Sequence, residues 1–218
     1  MKRERPDPAG SPLPLNRRIV LAGIATLPLA LRAKAARAAG ASEDFINEIG
    51  DQALDVLRRD ELSKEEKLVV IKDLLDRYTD LDLLAKLVLG RYWRTASAGE
   101  RDAYVQVFRE LVMKTMADRL HEYGGETFEI VGSREINDRD SLVATNILRP
   151  SGAPPIQVEW RVRQYDDGQR IIDVVAEGIS LVVTQRSEVG DIVASDGMDG
   201  LIEIMRKRLE HDPGTAGG

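Results

Sequence analysis

Apolar residues recur at helical spacing through the first half of the chain and at strand spacing through much of the second. Between Glu43 and Arg59, the residues Phe45, Ile46, Ile49, Ala53 and Leu57 fall on one side of a helix. Ser63-Lys64-Glu65-Glu66 has the form of a capping box. It opens a helix whose stripe is Leu68, Ile71, Leu74, Leu75 and Tyr78. Thr79 or Asp80 caps a short helix that runs to Leu89, where Gly90 is placed to end it. Ser97-Ala98-Gly99-Glu100 is a second capping box, followed by Tyr104, Val107, Phe108, Leu111, Val112, Thr115 and Leu120 on a long helix that Gly124-Gly125 stops.

The period then changes. Thr127–Gly132, Ser141–Arg149, Ile156–Gln164 and Arg170–Arg186 are rich in β-branched residues and read as strands. The alternation is cleanest from Ile156 to Arg163, with Val158, Trp160 and Val162 on one face and Gln157, Glu159, Arg161 and Arg163 on the other. Asp138-Arg139-Asp140, 150–155 and Asp166-Asp167-Gly168 are turn segments. Gly178 marks a bulge or bend in the last strand region. A closing helix spans Gly197 to Leu209, with Leu201, Ile204, Met205 and Leu209 on one side, and residues 211–218 form a loose tail. Helices followed by a strand meander predict an α+β domain in which helices cover one face of a curved antiparallel sheet.

The N-terminus departs from this pattern. Ile19 to Leu31 is an apolar run of 13 residues behind the basic segment that ends in Asn16-Arg17-Arg18, and Ala36-Arg37-Ala38 follows with small residues. That is the form of a cleaved export signal over residues 1–38, and the run is short for a spanning helix. Arg17-Arg18-Ile19-Val20-Leu21 resembles a twin-arginine signal, although Asn16 and Val20 depart from that consensus; an ordinary secretory signal is the alternative. The expected place of work is a bacterial periplasm. Charge divides at the same point. The first 38 residues hold eight Lys/Arg against two Asp/Glu, so the remaining 23 basic and 35 acidic residues leave the body near −12. An acidic body argues against a nucleic-acid partner.

Candidate chemistry is sparse. The chain has no cysteine and two histidines, which removes thiol nucleophiles, disulfides and the common transition-metal sites. It carries no nucleotide loop and no G-x-S-x-G elbow. Asp173 and Glu177 on an extended strand would stand roughly 13 Å apart, too far for a carboxylate pair acting on one bond. His121 lies at the end of the long helix, where its charge suits the helix dipole. No catalytic residue, metal or cofactor is expected. More informative is Leu87-Val88-Leu89-Gly90-Arg91-Tyr92-Trp93-Arg94, which sets two large rings between two arginines just after a helix. It reads as a helix junction or as a pocket mouth where rings meet an apolar ligand and an arginine meets an anion.

Four stretches in this order carry a resemblance. They are Val88–Arg94 with Glu100-Arg101 and Tyr104–Phe108; Val158-Glu159-Trp160-Arg161-Val162; Asp173–Leu181 with Gln185-Arg186-Ser187-Glu188; and Gly197–Ile202. In these the chain resembles the toluene-tolerance family, periplasmic phospholipid-binding components of the bacterial system that maintains outer-membrane lipid asymmetry. It departs at Val189, where an aromatic is common in the family, at His121-Glu122-Tyr123, and in its signal. The resemblance implies a cystatin or nuclear-transport-factor type of fold around an apolar pocket. It also implies carriage of a diacyl glycerophospholipid between two partners. One is an outer-membrane lipoprotein–porin complex; the other is an inner-membrane transporter with a membrane-anchored lipid-binding ring and an ATPase. On this reading the pocket is lined by Val88, Tyr92, Trp93, Phe108, Val112, Met116, Ile130, Val143, Ile147, Trp160, Val174, Ile179 and Leu181. Arg91, Arg94 and Arg161 are the head-group candidates. The alternatives are a carrier of another apolar ligand (a hopanoid, sterol or aromatic compound), a non-enzymatic adaptor whose groove docks a partner helix, and a hydrolase using Asp173.

Overall fold

A computed structural model describes residues 27–210, without the side chains before Gly40 or that of His121. Most of the expected signal, and all of the tail 211–218, lie outside the described residues. The chain divides into two units, residues 1–36 and 37–218. The sheet and its packing partners belong to the second.

The elements are α1 (Leu27–Leu57), α2 (Lys64–Tyr78), α3 (Leu81–Leu89), a 3-10 turn (Gly90–Arg94), α4 (Ala98–Glu122), β1 (Thr127–Glu135), β2 (Asp140–Leu148), β3 (Ile156–Tyr165), β4 (Gly168–Ala176), β5 (Ile179–Ser180) and α5 (Leu181–Glu210). Both predicted capping boxes form. Ser63 accepts from the Glu66 N–H and Ser97 from that of Glu100, and each glutamate accepts the cap's own N–H in return. Asp80 is the cap of α3, accepting from the Leu83 N–H at 2.9 Å. The strands form an antiparallel meander in the order β1-β2-β3-β4-β5. Among the described residues no helix is long and apolar enough to cross a membrane.

Alternation on β3 sorts as its sequence predicts. Val158 and Val162 are buried, and the register sets Trp160 opposite Val143 and Val174. Val143, Val162 and Ile171 meet Ile46 of α1 in one core, with Phe45, Ile49, Ile130, Trp160 and Val174 packed around it. Two irregularities, between Ile130 and Gly132 and beside Arg161/Val162, interrupt the pairing. Such bulges bend and twist a strand, which curves the sheet.

Helices cover the sheet as predicted, and the structure adds a further packing layer. A second core lies among α3, α4 and α5, built on Leu89, Tyr104, Val107, Val182, Leu201 and Met205. Tyr104 is wholly buried there, and burial raises its pKa; its hydroxyl donates to the Ala85 carbonyl. The two cores meet at β4, which α2, α3 and α5 all contact. There the Asp80 N–H donates to the Ile171 carbonyl, and the Tyr165 hydroxyl donates to Asp80 at 2.6 Å.

The largest misreading concerns residues 181–186, expected as the end of a strand and found as the first turns of α5, which runs on from there. Ala176 is followed by a tight turn in which Glu177 (φ 49°) and Gly178 (φ 80°) take left-handed backbone, so Gly178 makes a reversal, not a bulge. Ser180 then accepts from the Val183 N–H, and the buried Asp173 carboxylate accepts from the Val182 N–H and the Ser180 hydroxyl. These contacts satisfy free donors at a helix start. The β-branched run Val182-Val183-Thr184 concealed this helix, because its intrinsic preference favours a strand. Gly197 (φ 71°) bends α5 at the point where the closing helix was expected to begin.

On the face opposite α1, Asp140 has a side chain that is 0% exposed. Arg161 and Arg163 both donate to its carboxylate, as does Asn137. Burial alone would raise its pKa; the hydrogen bonds from Arg163, Arg161 and Asn137 outweigh burial and hold it well below the usual carboxylate range. Removing one partner of a buried pair leaves the others uncompensated. We predict that Asp140→Asn costs about 2–4 kcal/mol in urea unfolding at pH 7. A depressed folded pKa contributes stability above the unfolded value, about 3.9. The gap between wild type and variant should therefore close as pH falls below about 4. A cost under about 0.5 kcal/mol at pH 7 would contradict this.

Candidate functional site

The middle of α1 is fastened to the sheet by polar groups at Ser42 and Glu43. Ser42 is buried and accepts from the Ser141 hydroxyl at 2.7 Å and from the Gln169 amide at 3.0 Å. Glu43 accepts from the Ser133 hydroxyl at 2.6 Å. From there α1 lays its apolar stripe over the concave row of β-strand side chains. The two surfaces do not fill the space between them. A cavity of about 250 Å³ remains.

Ile46, Ile49, Gly50, Ala53, Leu54 and Leu57 of α1 line one wall, and Thr127, Phe128, Ile147, Trp160 and Ile171 line the other. Tyr123 and Glu126, from the connection between α4 and β1, complete it. Trp160 contributes its ring without stranding its polar edge. Its indole N–H donates to the Thr145 hydroxyl, which donates to the Val158 carbonyl. An indole paired in this way presents mainly apolar area to the cavity. Glu126 is the one acidic residue in the lining. The hydrogen bonds from the Gly124 N–H and its own N–H, with Arg149 nearby, hold its pKa below the usual carboxylate range. No cluster of potential metal ligands occurs among the described residues.

The anticipated lining residues separate into groups. Ile147 and Trp160 line the cavity. Ile130, Val143 and Val174 belong to the same sheet-face core. Val88, Tyr92, Trp93 and Phe108 belong instead to the core of α3, α4 and α5. Val112 and Met116 are half-buried on α4 and do not reach the cavity lining. Ile179 and Leu181 are 61% and 50% exposed at the β5–α5 junction. Their outward placement follows from the helix that begins at Leu181. None of the head-group candidates lines the cavity. Arg161 is bound to Asp140; Arg91 donates to the Tyr92 hydroxyl at 2.7 Å; Arg94 is exposed.

The α1 wall was missed as a site, although its stripe was legible. The stripe read as ordinary core because periodicity reports a buried face and not whether that face is filled. Gly50 carried a further signal, since a glycine in a helical stripe often marks a close approach. Here the Phe128 ring takes that space, and a Cβ on Gly50 would overlap it. Asp173 and Glu177, the imagined acid/base pair, have structural partners. Asp173 caps α5, and Glu177 accepts from the Gln157 N–H at 2.8 Å.

Residues 47–207, covering α1 from Asn47 to most of α5, match the family model described as MlaC protein. The chain belongs to the MlaC family. It is 28% identical over 169 residues to the intermembrane phospholipid transport system binding protein MlaC of Haemophilus influenzae, across 72% of this chain and 78% of that one. Its fold is shared with a phospholipid-binding protein from Ralstonia solanacearum, solved in complex with a phospholipid. The TM-score is 0.68 at 20% identity, over 77% of this chain and 96% of that one. At that identity the likeness speaks for the fold of this MlaC family member.

The Gly50–Phe128 contact yields a test of the cavity wall. Ala in place of Gly within a helix gains about 0.8–1.0 kcal/mol, while overpacking costs about 1–3 kcal/mol. We predict that Gly50→Ala is destabilising by about 1 kcal/mol in the native background. In a Phe128→Ala background it becomes stabilising by up to about 1 kcal/mol. A double-mutant cycle by urea unfolding checks this; equal effects in both backgrounds would contradict the contact.

Proposed function

We propose that the chain carries a diacyl phospholipid between membranes, with acyl-chain segments held between α1 and the sheet. The observation that carries this reading is the apolar cavity left under α1 in a chain of the MlaC family. The name of the Haemophilus relative and the phospholipid held by the Ralstonia structure support it.

A buried methylene contributes about 0.8 kcal/mol. Two chains with roughly ten buried methylenes each would contribute on the order of 16 kcal/mol gross, so the tails must be shielded and the head group can stay in water. Pockets that bury a drug-sized ligand measure roughly 300–1,000 Å³. The cavity, at about 250 Å³, is smaller than that range. Loading therefore requires the cavity to widen, and α1, packed across it, is the wall that moves. Ser42 and Glu43 act as the hinge end of that movement.

We further infer that residues 1–38 direct export to a periplasm and are removed, by the twin-arginine or the general route. Residues 39–210 then act as one domain with the tail 211–218. Ser42 lies beyond the inferred cleavage point, so the fastening of α1 survives processing. An outer-membrane lipoprotein–porin complex and an inner-membrane transporter are the proposed exchange partners.

Native mass spectrometry with organic extraction tests the reading. The purified chain should carry a stoichiometric diacyl phospholipid. Ala53→Trp, which fills the cavity, should remove at least about nine-tenths of it with the fold intact. A clean unliganded mass that persists after incubation with phospholipid vesicles would overturn the proposal. Extraction of a hopanoid, sterol or aromatic compound in its place would redirect it.

A further inference from the structure

Among the described residues, the acidic body carries a region where cations gather without carboxylate partners. The short turn Gly90–Arg94 and the helices beside it bring Lys86, Arg91, Arg94, Arg101 and Arg186 together. Lys86 and Arg101 lie 6.0 and 5.6 Å from the centre of the Trp93 ring. Arg91 lies 4.8 Å from that of Tyr92. Arg101 donates weakly to the Arg94 carbonyl, and Arg186 donates to the Leu87 carbonyl at 2.7 Å across Gly90.

Elsewhere in the described residues eleven ion pairs form, and none of these five cations takes part in one. Carboxylates near them in sequence are used otherwise. Glu100 caps α4 at Ser97, and Glu188 pairs with Arg208. Asp102 stands next to Arg101 in sequence without closing an ion pair with it. The Arg101 Nε is buried with no hydrogen-bond partner. Five uncompensated cations in a body near −12 repel one another, and an anionic surface relieves that repulsion.

An apolar edge adjoins Arg186. Ile179, Leu181 and Val183 are 61%, 50% and 62% exposed. Val183 stands three residues before Arg186 on α5, which places the two on neighbouring positions of one helix side. Cations without carboxylate partners beside exposed aliphatic side chains are the composition of a surface that rests at a lipid–water interface. An acidic protein would satisfy the cations but gives no reason for the exposed aliphatic edge.

We propose that this surface docks the protein on the anionic head groups of a phospholipid bilayer. It is separate from the cavity lining, so its test does not depend on what the cavity holds. The purified chain is floated with vesicles of phosphatidylcholine alone and of phosphatidylcholine mixed with phosphatidylglycerol. We expect binding to the anionic vesicles only, weakened by salt. Arg91→Gln with Arg94→Gln should lower it about twentyfold, since each cation near such a surface contributes roughly fivefold. Val183→Asp should weaken it independently. Both variants should retain the wild-type amount of extractable lipid and the wild-type melting curve.

Absence of binding to anionic vesicles would overturn the proposal and leave an acidic protein as the partner. Equal binding to neutral vesicles, or unchanged binding of both variants, would overturn it too. Vesicle binding with no lipid extractable from the protein would sustain this surface and defeat the carrier reading.

Discussion

The arrangement depends on α1 covering the apolar face of a curved sheet without filling the space beneath it. Protein interiors are close-packed, and a void forfeits dispersion contacts along its walls. The chain tolerates the void because stability is supplied elsewhere. A second core among α3, α4 and α5 contains wholly buried Tyr104 and Leu201. The buried Asp140 cluster fixes the outer face of the sheet. α1 itself is held by the polar groups at Ser42 and Glu43 and by apolar contacts along its stripe, which on the proposed function a lipid tail replaces.

On the proposed function, that division lets one small fold both bind an apolar chain and release it. Hydrophobic contact is non-directional, so on that reading α1 exchanges contact with Phe128 and Trp160 for contact with methylenes at little difference in free energy. The polar fastening at Ser42 and Glu43 is directional and keeps the helix in register through the exchange. A partner that binds the displaced position of α1 more tightly than the packed one would drive release by that difference in affinity.

Much of the fold was legible because local chemistry and tertiary packing agree. The two serine–glutamate boxes specify helix starts by hydrogen bonds within four residues, and the alternation around Trp160 specifies a half-buried strand. The reading failed where long-range contacts overrode local preference. Val182-Val183-Thr184 prefers extended backbone, yet Asp173, on the neighbouring strand β4, caps a helix there. The site was less legible than the fold. Tyr92 and Trp93 look like ligand contacts from composition, but they face the second core; Ile49 and Ala53 look like core and face the cavity. Periodicity identifies which residues turn inward. It does not distinguish a filled interior from an empty one, because that depends on the distance between two elements.

The chain has two tryptophans, and each sits in a different core. This permits a direct test of where acyl chains lie. Phospholipid brominated along its acyl chains would be loaded into Trp93→Phe and Trp160→Phe proteins, and fluorescence would be read for the remaining ring. The account predicts strong quenching of Trp160 and little of Trp93. Quenching of Trp93 with Trp160 unaffected would place the lipid among α3, α4 and α5 and contradict the cavity under α1.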